Sequence, residues 1–124
     1  MYQEAIQKYL ACEISTIKAL DIKELDKAMQ LIYATYLAKG NNSFLILWFI
    51  KGNIYIFGNG GSAATASHFQ NDFNKGISEY VDNKFNFICL NDNIATLMAI
   101  ANDISFDEVF RFQLCGKLKP HDLV

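Results

Sequence analysis

The chain has 124 residues, 52% of them apolar and 19% charged, enough for one domain with its own core and too few for two. A single Pro and only seven Gly exclude a disordered or low-complexity chain. With a formal charge of −2 and its Lys residues scattered among acids, it has no basic field for a nucleic-acid backbone, and no nucleic-acid partner is expected.

Helices open the chain. Ile6, Leu10, Ile14, Ile17 and Leu20 recur at helical spacing and predict an amphipathic helix over residues 2–19, and Leu25, Met29, Ile32 and Tyr36 predict a second. Asp21 followed by Glu24 is the acidic form of a capping box, with Asp21 placed to accept from the first free amides of the second helix. Lys39, Gly40, Asn41 and Asn42 form a breaker cluster that ends this helix near Gly40. With the early Glu4 and no apolar core in the first residues, a secretory signal is not expected.

Short apolar runs follow at residues 44–50, 54–57 and 85–90. The first is far shorter than the roughly 20 residues of a membrane span, so no membrane partner is expected. Residues 54–57 are β-branched and aromatic and end at Gly58, as a strand buried in a parallel sheet does. Helical signals over residues 63–73 and 94–101 follow the last two runs, and strand, helix, strand, helix is an α/β plan. Ser105 with Glu108 is a further capping box, predicting a helix that carries Phe106, Val109, Phe110 and Leu114 and ends at Lys119 and Pro120. Residues 122–124 begin another strand. Cys12, Cys89 and Cys115 lack paired spacing and are expected to be reduced, as small buried hydrophobes of a cytoplasmic protein.

Ligands of open parallel sheets bind beyond the C-terminal strand ends, where Gly58, Asn59, Gly60, Gly61 and Ser62 follow residues 54–57. Glycines permit close approach of backbone to ligand, the next helix offers free N–H groups to an anion, and Ser62 and Asn59 suit phosphate or sugar oxygens. The spacing matches neither a P-loop nor a dinucleotide fingerprint. On the helix, Thr65, His68 and Asp72 are three and four residues apart and share a face. The imidazole and carboxylate are candidates for proton transfer, or for two ligands of a divalent metal; a plain surface pair is the bland alternative.

The run GNGGSAATASHFQNDF resembles the signature of the sugar isomerase (SIS) domains of the phosphoheptose isomerase type: GNGGS, small residues, a His-Phe pair and an acid four positions past the His. Residues 97–113, with Ala99, Ala101, Asn102, Asp103, Phe106, Val109, Phe110 and Gln113, resemble the family's second block, and residues 119–124 its approach to the next strand. The resemblance implies N-terminal helices (residues 1–40), an apparent insert (41–53) carrying Trp48, and the first half of a flavodoxin-like, three-layer SIS sheet (54–124). The family's Ser/Thr-rich phosphate loop and its later Gln and His have no counterpart here, so a truncated, incomplete form is expected.

By the same resemblance, the substrate is a phosphorylated seven-carbon ketose, sedoheptulose 7-phosphate. It is isomerised to the aldose through an enediolate, towards heptoses for lipopolysaccharide or capsule. Asn59, Gly60, Gly61 and Ser62 would contact it from the first loop, and Asn102 and Asp103 from the second. Asp72 takes the acid-base position where the family usually has Glu, one methylene longer. His68 and Asp72 would be the ligands of one zinc ion per site, and the competing role for His68 is a hydrogen bond that fixes the loop. Pairing of N-terminal helices into a homo-oligomer, commonly a tetramer, is also implied. The alternative function is a non-catalytic SIS module that binds a phosphosugar or associates with a protein such as the replication initiator DnaA.

Overall fold

The structure, a computed structural model, describes residues 2–37 and 52–124. The apolar run 44–50 with Trp48 and the expected helix end at Gly40 lie outside the described residues. The backbone clusters into two compact units, Met1–Leu31 and Ile32–Val124.

In the first unit the amphipathic pattern gives α1 (Gln3–Lys18) and the start of α2 (Ile22–Leu37). Asp21 caps α2 as its spacing predicts: Oδ1 accepts the Lys23 N–H at 2.9 Å and the Glu24 N–H at 3.4 Å. α1 buries none of its residues, and Ile6, Leu10, Ile14 and Ile17 are all exposed.

The second unit is built on two short parallel strands, β1 (Ile54–Ile56) and β2 (Phe87–Cys89), paired Ile54 to Phe87, Tyr55 to Ile88 and Ile56 to Cys89. They are separated by α3 (Gly61–Asn71), which widens into a π turn over Asp72–Gly76 and a 3-10 turn over Ile77–Tyr80. α4 (Ile94–Asp103) follows β2, capped by Asn93, whose Oδ1 accepts the Thr96 N–H at 3.0 Å. A 3-10 turn (Phe106–Glu108) and α5 (Arg111–Leu114) complete the helices. Leu123 bridges Ile54 in parallel on the side of β1 away from β2: Tyr55 N–H donates to the Leu123 carbonyl (2.8 Å), and Leu123 N–H to that of Asn53 (2.9 Å). The strand expected at residues 122–124 thus begins where the sequence places it. Asp122 fixes its approach, accepting the Asn53 N–H at 2.7 Å and the Lys119 N–H at 2.9 Å.

Ile54, Tyr55, Ala66, Phe87, Cys89, Leu90, Ile100 and Val109 form the buried core. Burying a large apolar side chain of this kind contributes about 1.5–3 kcal/mol. An aromatic cluster extends it: Phe73 stacks on Phe87 (4.4 Å) and meets Phe85 edge-on (5.0 Å), and Phe85 stacks on Tyr36 (4.4 Å).

Three expectations are corrected. Ser105 makes no side-chain cap, and Glu108 instead holds Arg111, Oε2 to Nη2 at 2.7 Å, a charge-assisted pair that draws Glu108 away from the backbone. The single helix expected there is therefore two short pieces, and Gly116, at φ 73°, turns the chain before Lys119. Cys12 and Cys115 are exposed, because they lie on helical and turn surface that nothing covers among the described residues; Cys89 alone is buried, in β2. No helix among the described residues is long and apolar enough to cross a membrane.

Burial of Tyr55 pushes its phenol above the ordinary value of 10.0, reinforced by the negative charge of Asp122 and opposed by a hydrogen bond with Asn53. The folded chain therefore holds this proton more tightly than the unfolded one. Its contribution to stability is whole below the unfolded pKa and is lost as pH rises through the folded one. Tyr55→Phe is expected to lessen the alkaline loss, measured as the shift in urea midpoint between about pH 8 and about pH 11.

Candidate functional site

The loop between β1 and α3 is shaped by two glycines. Gly58 packs against the first turn of α3 so closely that a Cβ there would lie 2.6 Å from Ser62 Cβ and 2.8 Å from its carbonyl carbon. Gly60 caps the helix at φ 57°, ψ −125°, a conformation reserved for glycine. Backbone bonds then close the turn, Ser62 N–H to the Asn59 carbonyl (3.0 Å) and Ala63 N–H to that of Gly60 (3.1 Å). Asn59, Gly60, Gly61 and Ser62 are all exposed at the C-terminal end of β1, with Gly61 and Ser62 already in the helix.

Along α3, Thr65 donates its hydroxyl to the Gly61 carbonyl at 3.2 Å. His68 Nε2 and Asp72 Oδ2 are 3.5 Å apart with side chains 76% and 51% exposed, so the pair is worth little to stability and both groups are open to a ligand. Asp72 is also the first residue of the π turn, a feature frequent at functional sites. The predicted helix end near Phe73 marks this change of winding, which lets Asn74 turn back to the sheet: its Oδ1 accepts the Phe87 N–H and its Nδ2 donates to the Phe87 carbonyl, both at 2.8 Å.

Asn102 and Asp103 sit in the last turn of α4, Asn102 Nδ2 donating to Asp103 Oδ1 at 2.9 Å. Among the described residues no hydrogen bond or ion pair joins them to the glycine loop or to the His68 and Asp72 pair. Nor does any group of three His, Cys, Asp or Glu side chains among these residues make a metal cluster. A zinc site takes three or four protein ligands, and His68 with Asp72 supplies two, so this pair alone does not make one.

Sequence reasoning passed over Asn91, Asp92, Ser67, Gln70 and Asn74. Asn91 Oδ1 accepts the Gly58 N–H at 3.0 Å and its Nδ2 donates to the Gly58 carbonyl at 2.9 Å. Asp92 accepts from Ser67 Oγ at 2.5 Å and from Gln70 Nε2 at 2.7 Å, and Gln70 Oε1 accepts the Cys89 N–H. The available signal was position, since Asn91 and Asp92 directly follow the second strand, where ligand-side loops lie.

A parallel sheet with a glycine loop at its ligand edge defines an α/β domain, and comparison with known proteins narrows it. A solved phosphoheptose isomerase, GmhA from Neisseria gonorrhoeae, superimposes with a TM-score of 0.76 over 98% of this chain and 58% of its own, at 25% identity. A probable phosphoheptose isomerase of Thermoplasma volcanium is 33% identical over 80% of this chain and 50% of its own length. The phosphoheptose isomerase of Thermodesulfovibrio yellowstonii is 39% identical over 59% of this chain and 36% of its own. The lincomycin biosynthesis protein LmbN of Streptomyces lincolnensis is 40% identical over 59% of this chain and 26% of its own. No family model matches. The chain spans half or less of the length of these curated relatives.

Fold and sequence together thus define an SIS α/β domain. Within that class the chain is of the phosphoheptose isomerase type, matched over part of the length of its relatives.

The loop geometry sets an order of tolerance. Gly58→Ala forces Ser62 to move and is expected to destabilise by about 1–3 kcal/mol, and Gly60→Ala by about 1–3 kcal/mol through backbone strain. Gly61→Ala, whose Cβ would meet nothing within 4 Å, is expected to be neutral or slightly stabilising. Urea titrations of the three variants measure the order directly.

Proposed function

We propose that this chain carries part of the site of a phosphosugar isomerase acting on sedoheptulose 7-phosphate, with Asp72 as the acid-base residue, in keeping with its match to half or less of the length of its curated relatives. The observation that carries the reading is the His68 and Asp72 pair, 3.5 Å apart and open to solvent, on the helix that the glycine loop begins. The names of the relatives supply the substrate class. In this reading Asn59, Gly60, Gly61 and Ser62 hold sugar or phosphate oxygens, and Asn102 with Asp103 hold the sugar from the end of α4.

Isomerisation needs a base that removes the C1 proton of the ketose and returns it to C2, while the proton of the C1 hydroxyl passes to the C2 oxygen. The Asp72 carboxylate does the first. His68 orients that carboxylate, and it is also one of two ligands that the pair offers to a zinc ion whose remaining ligands lie outside it. No step of the proposed proton transfer passes through a metal. The cytoplasm is the proposed compartment, because a sugar phosphate is a metabolite held there.

Oligomerisation through the first helix is part of the proposal. α1 carries Ile6, Leu10, Ile14 and Ile17 exposed on one stripe, as a helix that pairs with another does. We favour a second copy of this chain as the partner.

Incubation of the full chain with sedoheptulose 7-phosphate, with and without zinc, tests the activity by aldose formation. Asp72→Asn is expected to lower kcat by about 10²–10⁴-fold, the usual worth of a general base, whereas Asp72→Glu retains turnover. Wild-type protein that binds the sugar phosphate without converting it would favour the non-catalytic module instead. Protein that neither binds nor converts it would defeat both readings.

For the oligomer, sedimentation of the wild type is expected to show an assembly larger than one chain, and Leu10→Glu with Ile14→Glu is expected to reduce it to monomer. Unchanged sedimentation in that double variant would remove α1 from the interface.

A further inference from the structure

Two adjacent side chains after β2 have no part in the chemistry above, yet each reaches a different half of the proposed site. Leu90 N–H donates to the Ile56 carbonyl at 3.0 Å, the last backbone rung between the strands. One step further on, the Asn91 amide takes over, giving Gly58 both an acceptor and a donor at 3.0 and 2.9 Å. A side chain thus continues the parallel ladder into the glycine loop. Asp92 turns to α3 and receives Ser67 Oγ at 2.5 Å and Gln70 Nε2 at 2.7 Å. Ser67 directly precedes His68, and Gln70 is two residues before Asp72, so both bonds fall on the turn that carries the proton-transfer pair. Gln70 passes the constraint on to Cys89 N–H in β2.

We infer that Asn91 and Asp92 are positioning residues: Asn91 sets the height of the substrate loop over the strand ends, and Asp92 sets the rotation of α3 that aims Asp72. The inference rests on the isomerase reading. Both residues act through other groups, Asn91 through Gly58 and Asp92 through Ser67 and Gln70. Asp92 is exposed, so its hydrogen bonds add little to global stability. Geometry at a reacting carbon is far more demanding, since a misplacement of about 1 Å can cost about 10²-fold in rate.

The two residues have separable kinetic signatures. Asn91→Ala is expected to raise KM for sedoheptulose 7-phosphate about tenfold with kcat nearly constant, because the loop that holds ground state and transition state alike is loosened. Asp92→Ala is expected to lower kcat about ten- to a hundredfold with little change in KM, because Asp72 is no longer aimed. Asp92→Asn, which keeps an acceptor for Ser67, should recover part of that loss. If Asn91→Ala does not fold, Asn91→Asp, which keeps the acceptor for the Gly58 N–H, reads the same KM.

Unchanged KM and kcat in these variants, or losses that track only the melting temperature, would overturn the assignment. Absence of turnover in the wild type would instead sink the isomerase reading on its own. The clamp is then read from amide exchange in the full chain: about tenfold faster exchange is expected at Gly58 in Asn91→Ala and at Cys89 in Asp92→Ala. Unaltered exchange at both would refute it.

Discussion

The parallel pairing of Ile54–Ile56 with Phe87–Cys89 is the constraint on which the second unit depends. Each strand is only three residues long, so the backbone ladder is brief and leaves N–H and C=O groups facing outward on both sides and at its end. Those groups are satisfied from elsewhere in the chain. Leu123 covers the outer edge of β1, Asn74 and Gln70 cover that of β2, and Asn91 extends the ladder to Gly58. Side-chain amides can do this because one group carries both a donor and an acceptor, as a peptide does.

The candidate site follows from that arrangement. A loop that must leave β1, pass under the Asn91 amide and enter α3 within a few residues has no room for a Cβ at Gly58 and needs positive φ at Gly60. The same crowding brings the start of α3 to the ligand edge of the sheet. Asn74 can reach Phe87 only because α3 widens after Asn71, and Asp72 stands where the winding changes. Edge protection of β2 and placement of the proposed acid-base residue are thus two results of one local distortion.

Much of this was legible in the chain. The two opening helices, the Asp21 cap, both strands, the helix after each and the start of a third strand at Leu123 all lie where period and punctuation put them, because each is set by residues close in sequence. The family resemblance carried by the GNGGS run and the His68 to Asp72 spacing agrees with the relatives and with the superposition on GmhA. The Ser105 box failed for an equally local reason: Arg111, one turn on, offers Glu108 a stronger partner than the backbone does. Cys12 and Cys115 were misjudged because composition says how often a thiol is buried, not which one is.

What the sequence by itself determined is the order and type of elements, the glycine loop and the spacing that brings His68 and Asp72 within 3.5 Å on one helix face. All of these are fixed over a few residues by dihedral preference and helical period. Only the tertiary structure decided that Asn91, Asp92, Gln70 and Asn74 would be spent on satisfying strand ends and gripping α3, and that α3 would change its winding at Asp72. An amide or carboxylate on a helix or loop carries no local sign of its partner. Its hydrogen bond is chosen by which unpaired backbone group the packed sheet brings within reach, across separations of 13 to 33 residues.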